Sequence, residues 1–99
     1  MGVRLNRSIR IAQGKRDEAS KFASDICSYL EGLTGVKVVW GVEIGGTVGK
    51  IHWYADYEDL AALEAAFSQS DSDEGYGELL ASGDGLFDGH AEDTWVYTM

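Results

Sequence analysis

Two short runs of this chain alternate side chains that can handle a proton with apolar ones that cannot. Asn6, Ser8 and Arg10 interleave with Ile9 and Ile11, and Lys50, His52 and Tyr54 interleave with Ile51 and Trp53. Successive side chains of a strand point to opposite faces, so each run gathers its polar groups on one side. If the apolar sets face the interior, the two polar sets share the other face. An imidazole, a phenol and a guanidinium converging beside an apolar cavity can remove a proton and hold the anion left behind. His52 is the expected general base, because imidazole is the side chain that titrates closest to neutral pH. Tyr54 would orient or donate, and Arg10 or Asn6 would hold the developing charge. The expected catalytic set is therefore His52, Tyr54 and Arg10, with Asn6, Trp40, Glu43 and Trp53 binding substrate. Each has a plainer alternative: a histidine on a sheet face commonly ties an interface, tryptophans anchor cores, and Glu43 can pair with a base across the strands.

The elements that must carry these residues follow from periodicity. Val3, Leu5, Ile9 and Ile11 alternate with polar residues, which predicts a strand over residues 3–12. Arg7 interrupts its apolar face without an evident reason. Lys15 to Gly32 reads as a helix whose stripe is Ala19, Phe22, Ala23, Ile26, Leu30 and Leu33, stopped by Gly32 or Gly35. Val36 to Ile44 alternates again, Gly45-Gly46 signals a two-residue hairpin, and a third strand runs from Thr47 or Val48 to Ala55. Asp56 is the expected cap of a short helix with Leu60, Leu63 and Phe67 on its apolar side. Ser68 to Glu74 reads as a loop, Tyr76 to Ala81 as one or two helical turns, Ser82 to Gly89 as a glycine-rich connector, and Glu92 to Thr98 as a last strand.

The order strand, helix, strand, strand, helix, strand predicts a single α+β domain over residues 1–99. It is a ferredoxin-like βαββαβ sandwich, with a four-stranded antiparallel sheet and its helices on one face. The other sheet face is left bare. A second copy pressed against it would cover it, and a two-fold homodimer is the default geometry.

Composition narrows the partners. The chain has 99 residues and a net charge of −9. All eight Lys and Arg fall within the first fifty residues, and the remainder carries twelve Asp and Glu with no Lys or Arg. That balance argues firmly against nonspecific nucleic-acid binding, which depends on clustered Lys and Arg. A single cysteine, Cys27, allows neither an intrachain disulfide nor a cysteine-based zinc site. It sits among apolar residues and reads as a small buried hydrophobe. No run approaches transmembrane length and the start resembles no signal peptide, so a cytoplasmic protein without membrane contact is expected. The acidic stretch near Ser70 lacks the glutamate that closes a calcium loop, and the glycine-rich connector lacks the lysine of a phosphate loop. No metal or cofactor is expected. Only a haem axial role for His52 remains to be weighed against that.

The segment Trp40-Gly-Val-Glu43-Ile-Gly45, followed by Val48-Gly-Lys-Ile-His52-Trp53-Tyr54 and Tyr57-Glu-Asp-Leu60-Ala, resembles the NIPSNAP-like branch of the dimeric α+β barrel superfamily. In that branch a Glu-x-Gly element leads through a hairpin into a strand bearing His and an aromatic, then an acidic, alanine-rich helix. The superfamily also holds cofactor-independent antibiotic-biosynthesis monooxygenases, haem-degrading enzymes, lactone isomerases and polyketide cyclases. The resemblance implies a homodimeric barrel with a small-molecule pocket between sheet and helices in each half. It further implies a small apolar or aromatic ligand, and a cofactor-independent oxygenase, cyclase or isomerase activity. The alternative is a non-catalytic binding or interaction module.

Overall fold

The computed structural model describes residues 2–46 and 49–99. Seven elements follow in order: β1 (Gly2–Ile11), α1 (Arg16–Thr34), β2 (Val38–Val42), β3 (Lys50–Tyr57), α2 (Leu60–Asp71), α3 (Glu74–Ser82) and β4 (Phe87–Thr98). The strands form one antiparallel sheet in the order β2-β3-β1-β4, the ferredoxin-like arrangement expected from the element order.

Register decides which side chains meet the helices. Val3, Leu5, Arg7 and Ile9 stand opposite Tyr57, Ala55, Trp53 and Ile51 across the β1–β3 pair. These residues make the helix-facing side, where two buried clusters form. Leu63 of α2 packs on Val3 and Leu5, with Tyr57, Leu60 and Phe67 around it. Ala19 and Ala23 of α1 pack on Ile51, with Ile11, Trp40, Trp53 and Phe87 around them. The alanines let α1 approach the sheet closely, and Trp53 Nε1–H donates to the Ala23 carbonyl at 3.3 Å. Arg4, Asn6, Ser8, Lys50, His52 and Tyr54 occupy the alternate positions and so lie on the open face.

Several boundaries move, each for a local reason. The α1 helix ends at Gly35 rather than Gly32, because Gly35 takes the left-handed conformation (φ 74°) and donates to the Glu31 carbonyl. Asp56 does not cap a helix. It stays in β3 and its carboxylate takes both Arg4 hydrogen bonds, at 2.8 and 3.0 Å. Asp59 caps α2 instead, accepting from the Ala62 N–H at 2.8 Å. That helix continues to Asp71, so most of the acidic stretch expected as loop is helical. Asp73 then caps α3 by accepting from the Tyr76 N–H, and Tyr29 of α1 donates to the same carboxylate. β2 ends at Val42 and β3 begins at Lys50, with Glu43 N–H donating to the Lys50 carbonyl, so the strands do not reach the expected Gly45-Gly46 turn. Thr47 and Val48, where the third strand was expected to begin, lie outside the described residues.

The last strand starts five residues earlier than expected. Phe87 and Asp88 pair with Ile11 and Arg10, then a bulge places three residues of β4 against one of β1 before pairing resumes at Glu92. Gly89 supplies the positive φ (75°) that the irregularity needs. Past the bulge, Asp93 and Trp95 stand opposite Arg7 and Leu5.

Candidate functional site

The two buried clusters do not meet. Between them lies a half-open cavity of about 320 Å³ lined by residues of β1, β3, all three helices and the start of β2. Its walls are mostly aromatic and aliphatic: Phe22 and Ile26 from α1, Trp53 and Tyr57 from β3, Phe67 from α2 and Tyr76 from α3. A space of this size with few polar groups is typical of small-molecule sites.

Among the described residues, Arg7, which broke the apolar pattern of β1, is the cation of this cavity. Its register opposite Trp53 points it between the clusters. Even half-buried, a guanidinium with no partner would be unfavourable, and this one is paired. Asp93, directly across on β4, accepts from Nε at 2.7 Å and from Nη2 at 2.8 Å. The pair is bidentate, the geometry in which a guanidinium and a carboxylate fit best. Asp93 hydrogen bonding raises the Arg7 pKa further above its ordinary value, and Arg7 in turn holds the Asp93 carboxyl below the usual carboxylate range. The guanidinium also lies over the Phe67 ring, 5.9 Å from its centre. Burial raises the phenols of Tyr57 and Tyr76, keeping both as neutral hydrogen-bond donors. Phe67 meets Trp95 of β4 edge to face at 5.8 Å, which joins the cavity wall to the half-exposed outer strand.

The expected site residues fall on both faces of the sheet. Asn6, Glu43, His52 and Tyr54 do come together, on the open face. His52 Nε2 faces Glu43 Oε1 at 2.5 Å and His52 Nδ1 faces Asn6 Oδ1 at 3.1 Å, so one imidazole ties β2, β3 and β1. The Tyr54 ring lies nearly parallel to it, 5.9 Å away with 8° between planes. Gly41 stands opposite His52, and it is Gly46 that the Glu43 carboxylate lies against, where an added Cβ would come within 2.6 Å of Oε2. Ser8, also opposite His52, is buried. Arg10 lies two residues further along β1, exposed, opposite Lys50 and Asp88. Both ring nitrogens of His52 are engaged, which is the geometry of a cross-strand tie; a base must free one of them.

Trp40 and Trp53 project to the other side. They face each other across the β2–β3 pair and pack beneath α1. Trp53 walls the cavity, whereas Trp40 serves the core cluster beside it. The sheet therefore sets the His52 imidazole on one side and Trp53 on the other, as alternation in β3 implies, while Tyr54 of the His52 cluster also borders the cavity. Arg7, Tyr57, Tyr76 and Asp93 were not anticipated. The available signal was Arg7 itself, an inward charge on an apolar strand face, which demands a buried partner.

Cys27 is partly buried, and its thiol is pushed up to about 11 by desolvation and by Glu31. Among the described residues no group of three His, Cys, Asp or Glu could hold a metal ion, and no helix is long and apolar enough to cross a membrane.

No family model matches the sequence, and no curated protein sequence matches it. Solved structures do match. A NIPSNAP family protein from Agrobacterium tumefaciens is similar over 100% of this chain and 94% of its own, with a TM-score of 0.83 at 15% identity. An uncharacterized NIPSNAP domain protein from Burkholderia xenovorans gives 0.83 at 18% identity, covering 100% of this chain and 95% of its own. SnoaB, a cofactor-independent oxygenase from Streptomyces nogalater, gives 0.72 at 12% identity over 98% and 92%. The chain thus has the ferredoxin-like α+β fold shared by NIPSNAP family proteins and by antibiotic-biosynthesis-monooxygenase-like proteins such as SnoaB.

Proposed function

We propose that this chain acts as a homodimer that binds a small aromatic or apolar molecule between sheet and helices. The observation that carries the reading is the cavity of about 320 Å³ with aromatic walls and one paired guanidinium. A space left between two otherwise packed clusters is unfavourable to keep empty, since its lining forgoes dispersion contacts. A flat ring between Trp53, Phe67 and Tyr76 restores them. The likeness to SnoaB supports an oxygenase, cyclase or isomerase that uses no cofactor; a binding protein without turnover is the other form of the same reading. The dimer rests on the open face, where Val39 and Val96 are exposed and the half-buried His52 cluster awaits a cover.

Naphthalene titrated against tryptophan fluorescence tests the cavity. Ala66 is buried on its wall, so Ala66→Phe should fill the space and abolish the response while the fold persists by circular dichroism. An unchanged response in Ala66→Phe would remove the cavity from the proposal. Light scattering should report twice the 10.8 kDa chain mass; a monomer at micromolar concentration would remove the dimer.

A second reading puts chemistry on the open face, where Glu43 orients His52 as a carboxylate orients a general base. His52, Tyr54 and Arg10 would then act on a molecule held between two sheets, with Asn6 yielding its hydrogen bond to substrate. Under this reading His52→Ala abolishes turnover with the dimer intact.

A further inference from the structure

We infer that the Arg7–Asp93 pair selects the charge of the cavity's ligand, admitting neutral aromatics that carry a carbonyl or hydroxyl oxygen and turning away carboxylates, with Asp93 as the specificity-determining residue. This rests on the cavity reading above and names the substrate class for it.

Three observations carry the inference. Among the described residues, Arg7 is the only cation on the cavity wall, and its Nε and Nη2 edge is already filled by Asp93 at 2.7 and 2.8 Å. That side-on fork is one a ligand carboxylate would seek. A guanidinium has five N–H donors. Two serve Asp93, and those on Nη1 remain for an acceptor that brings no charge of its own. Next, Asp71 also lines the cavity, so Arg7, Asp93 and Asp71 together leave the site with one net negative charge. An anion entering it meets net repulsion, which solvent screens in part because Asp71 is exposed and the Arg7–Asp93 pair is only half-buried. Last, the Tyr57 and Tyr76 phenols beside Arg7 are neutral donors, suited to a carbonyl or hydroxyl oxygen. A neutral ring with one such oxygen satisfies the free N–H groups and leaves the ion pair intact. A carboxylate must either displace Asp93, stranding it beside Asp71, or bind without the fork.

Naphthalene, acetylnaphthalene and naphthoate form a matched series for the test, titrated at neutral pH against the native chain and Asp93→Asn. The ketone should bind about tenfold more tightly than the hydrocarbon, the worth of one hydrogen bond from a charged donor. Naphthoate should bind the native protein at least about tenfold more weakly than the ketone. Asp93→Asn should raise naphthoate affinity about tenfold or more while changing the ketone by less than about threefold. If the β1–β4 contact does not survive that substitution, Asp71→Asn removes the second negative charge without touching the pair and should move naphthoate in the same direction. Naphthoate binding the native chain as tightly as the ketone overturns the charge selection while leaving the cavity reading standing. So does naphthoate affinity that neither variant changes. If naphthalene and the ketone both fail to bind, the cavity reading falls and the inference with it.

Discussion

Arg7 and Asp93 offer a perturbation whose size follows from geometry. Arg7→Met keeps much of the side-chain stem but removes the guanidinium that lies over the Phe67 ring, and Asp93→Asn removes the charge it answers. A hydrogen bond involving a charged group contributes roughly 1.5–3 kcal/mol when buried, whereas an exposed helix pair contributes roughly 0.3–0.5 kcal/mol. The Arg7 and Asp93 side chains retain 39% and 32% of their exposure. Solvent therefore screens the pair in part, and the coupling should fall between those limits at about 1 kcal/mol. The internal control is Lys21–Asp25, equally short at 2.8 Å but on the outer side of α1 with 79% and 47% exposure. Its coupling should be about 0.3 kcal/mol. Double-mutant cycles by urea unfolding, all at one protein concentration, measure both. Thermal shifts give a second readout: for a domain this size about 1 kcal/mol moves Tm by roughly 4–8 °C. Equal couplings for the two pairs would refute the claim that Arg7 is set into a low-dielectric wall.

Other consequences are quicker to check. Leu63 is fully buried against Val3 and Leu5, so Leu63→Ala should cost about 2–5 kcal/mol in urea unfolding; a loss below about 1 kcal/mol would mean that this cluster is not packed as described. Asp93 titrates below its ordinary value in the folded chain. Its contribution is then complete above the unfolded value of about 4 and lost as pH falls through the lower folded one. Stability measured down through that window should fall less steeply in Asp93→Asn than in the native protein, and identical acid limbs would contradict the pairing. The Cys27 thiol, raised to about 11, should react with iodoacetamide at about pH 8 roughly 100-fold more slowly than a free cysteine. A rate equal to that of a free thiol would show it to be accessible and unperturbed.

Much of the fold was legible because its signals are local and repeated. Alternation over β1 and β3 and the three-to-four spacing of Ala19, Ala23 and Ile26 fixed strand, helix and buried face together. Boundaries were harder wherever two residues competed for one role. Asp56 and Asp59 are both good caps, and what separates them is a distant partner: Arg4 sits opposite Asp56, so that carboxylate stays in the sheet. Ser68 to Asp71 looked like loop by polarity, but a helix with one buried side tolerates a polar end. For the site, alternation in β3 set Trp53 apart from His52 and Tyr54, as the strand pattern implies, but the expected site residues were drawn from both faces. Arg7 and Asp93 lie at opposite ends of the chain, and only the β1–β4 register brings them together. Local patterns carry no record of such pairings, except for the one irregular residue that demanded a partner.

The central claim is that ligand lodges between sheet and helices rather than on the open face, and a crystal structure of the protein soaked with acetylnaphthalene tests it directly. The expected result is ring density between Trp53, Phe67 and Tyr76, with the ketone oxygen turned toward Arg7 and the Arg7–Asp93 pair still closed. Density against His52 and Tyr54 with an empty helix-side cavity would contradict the claim.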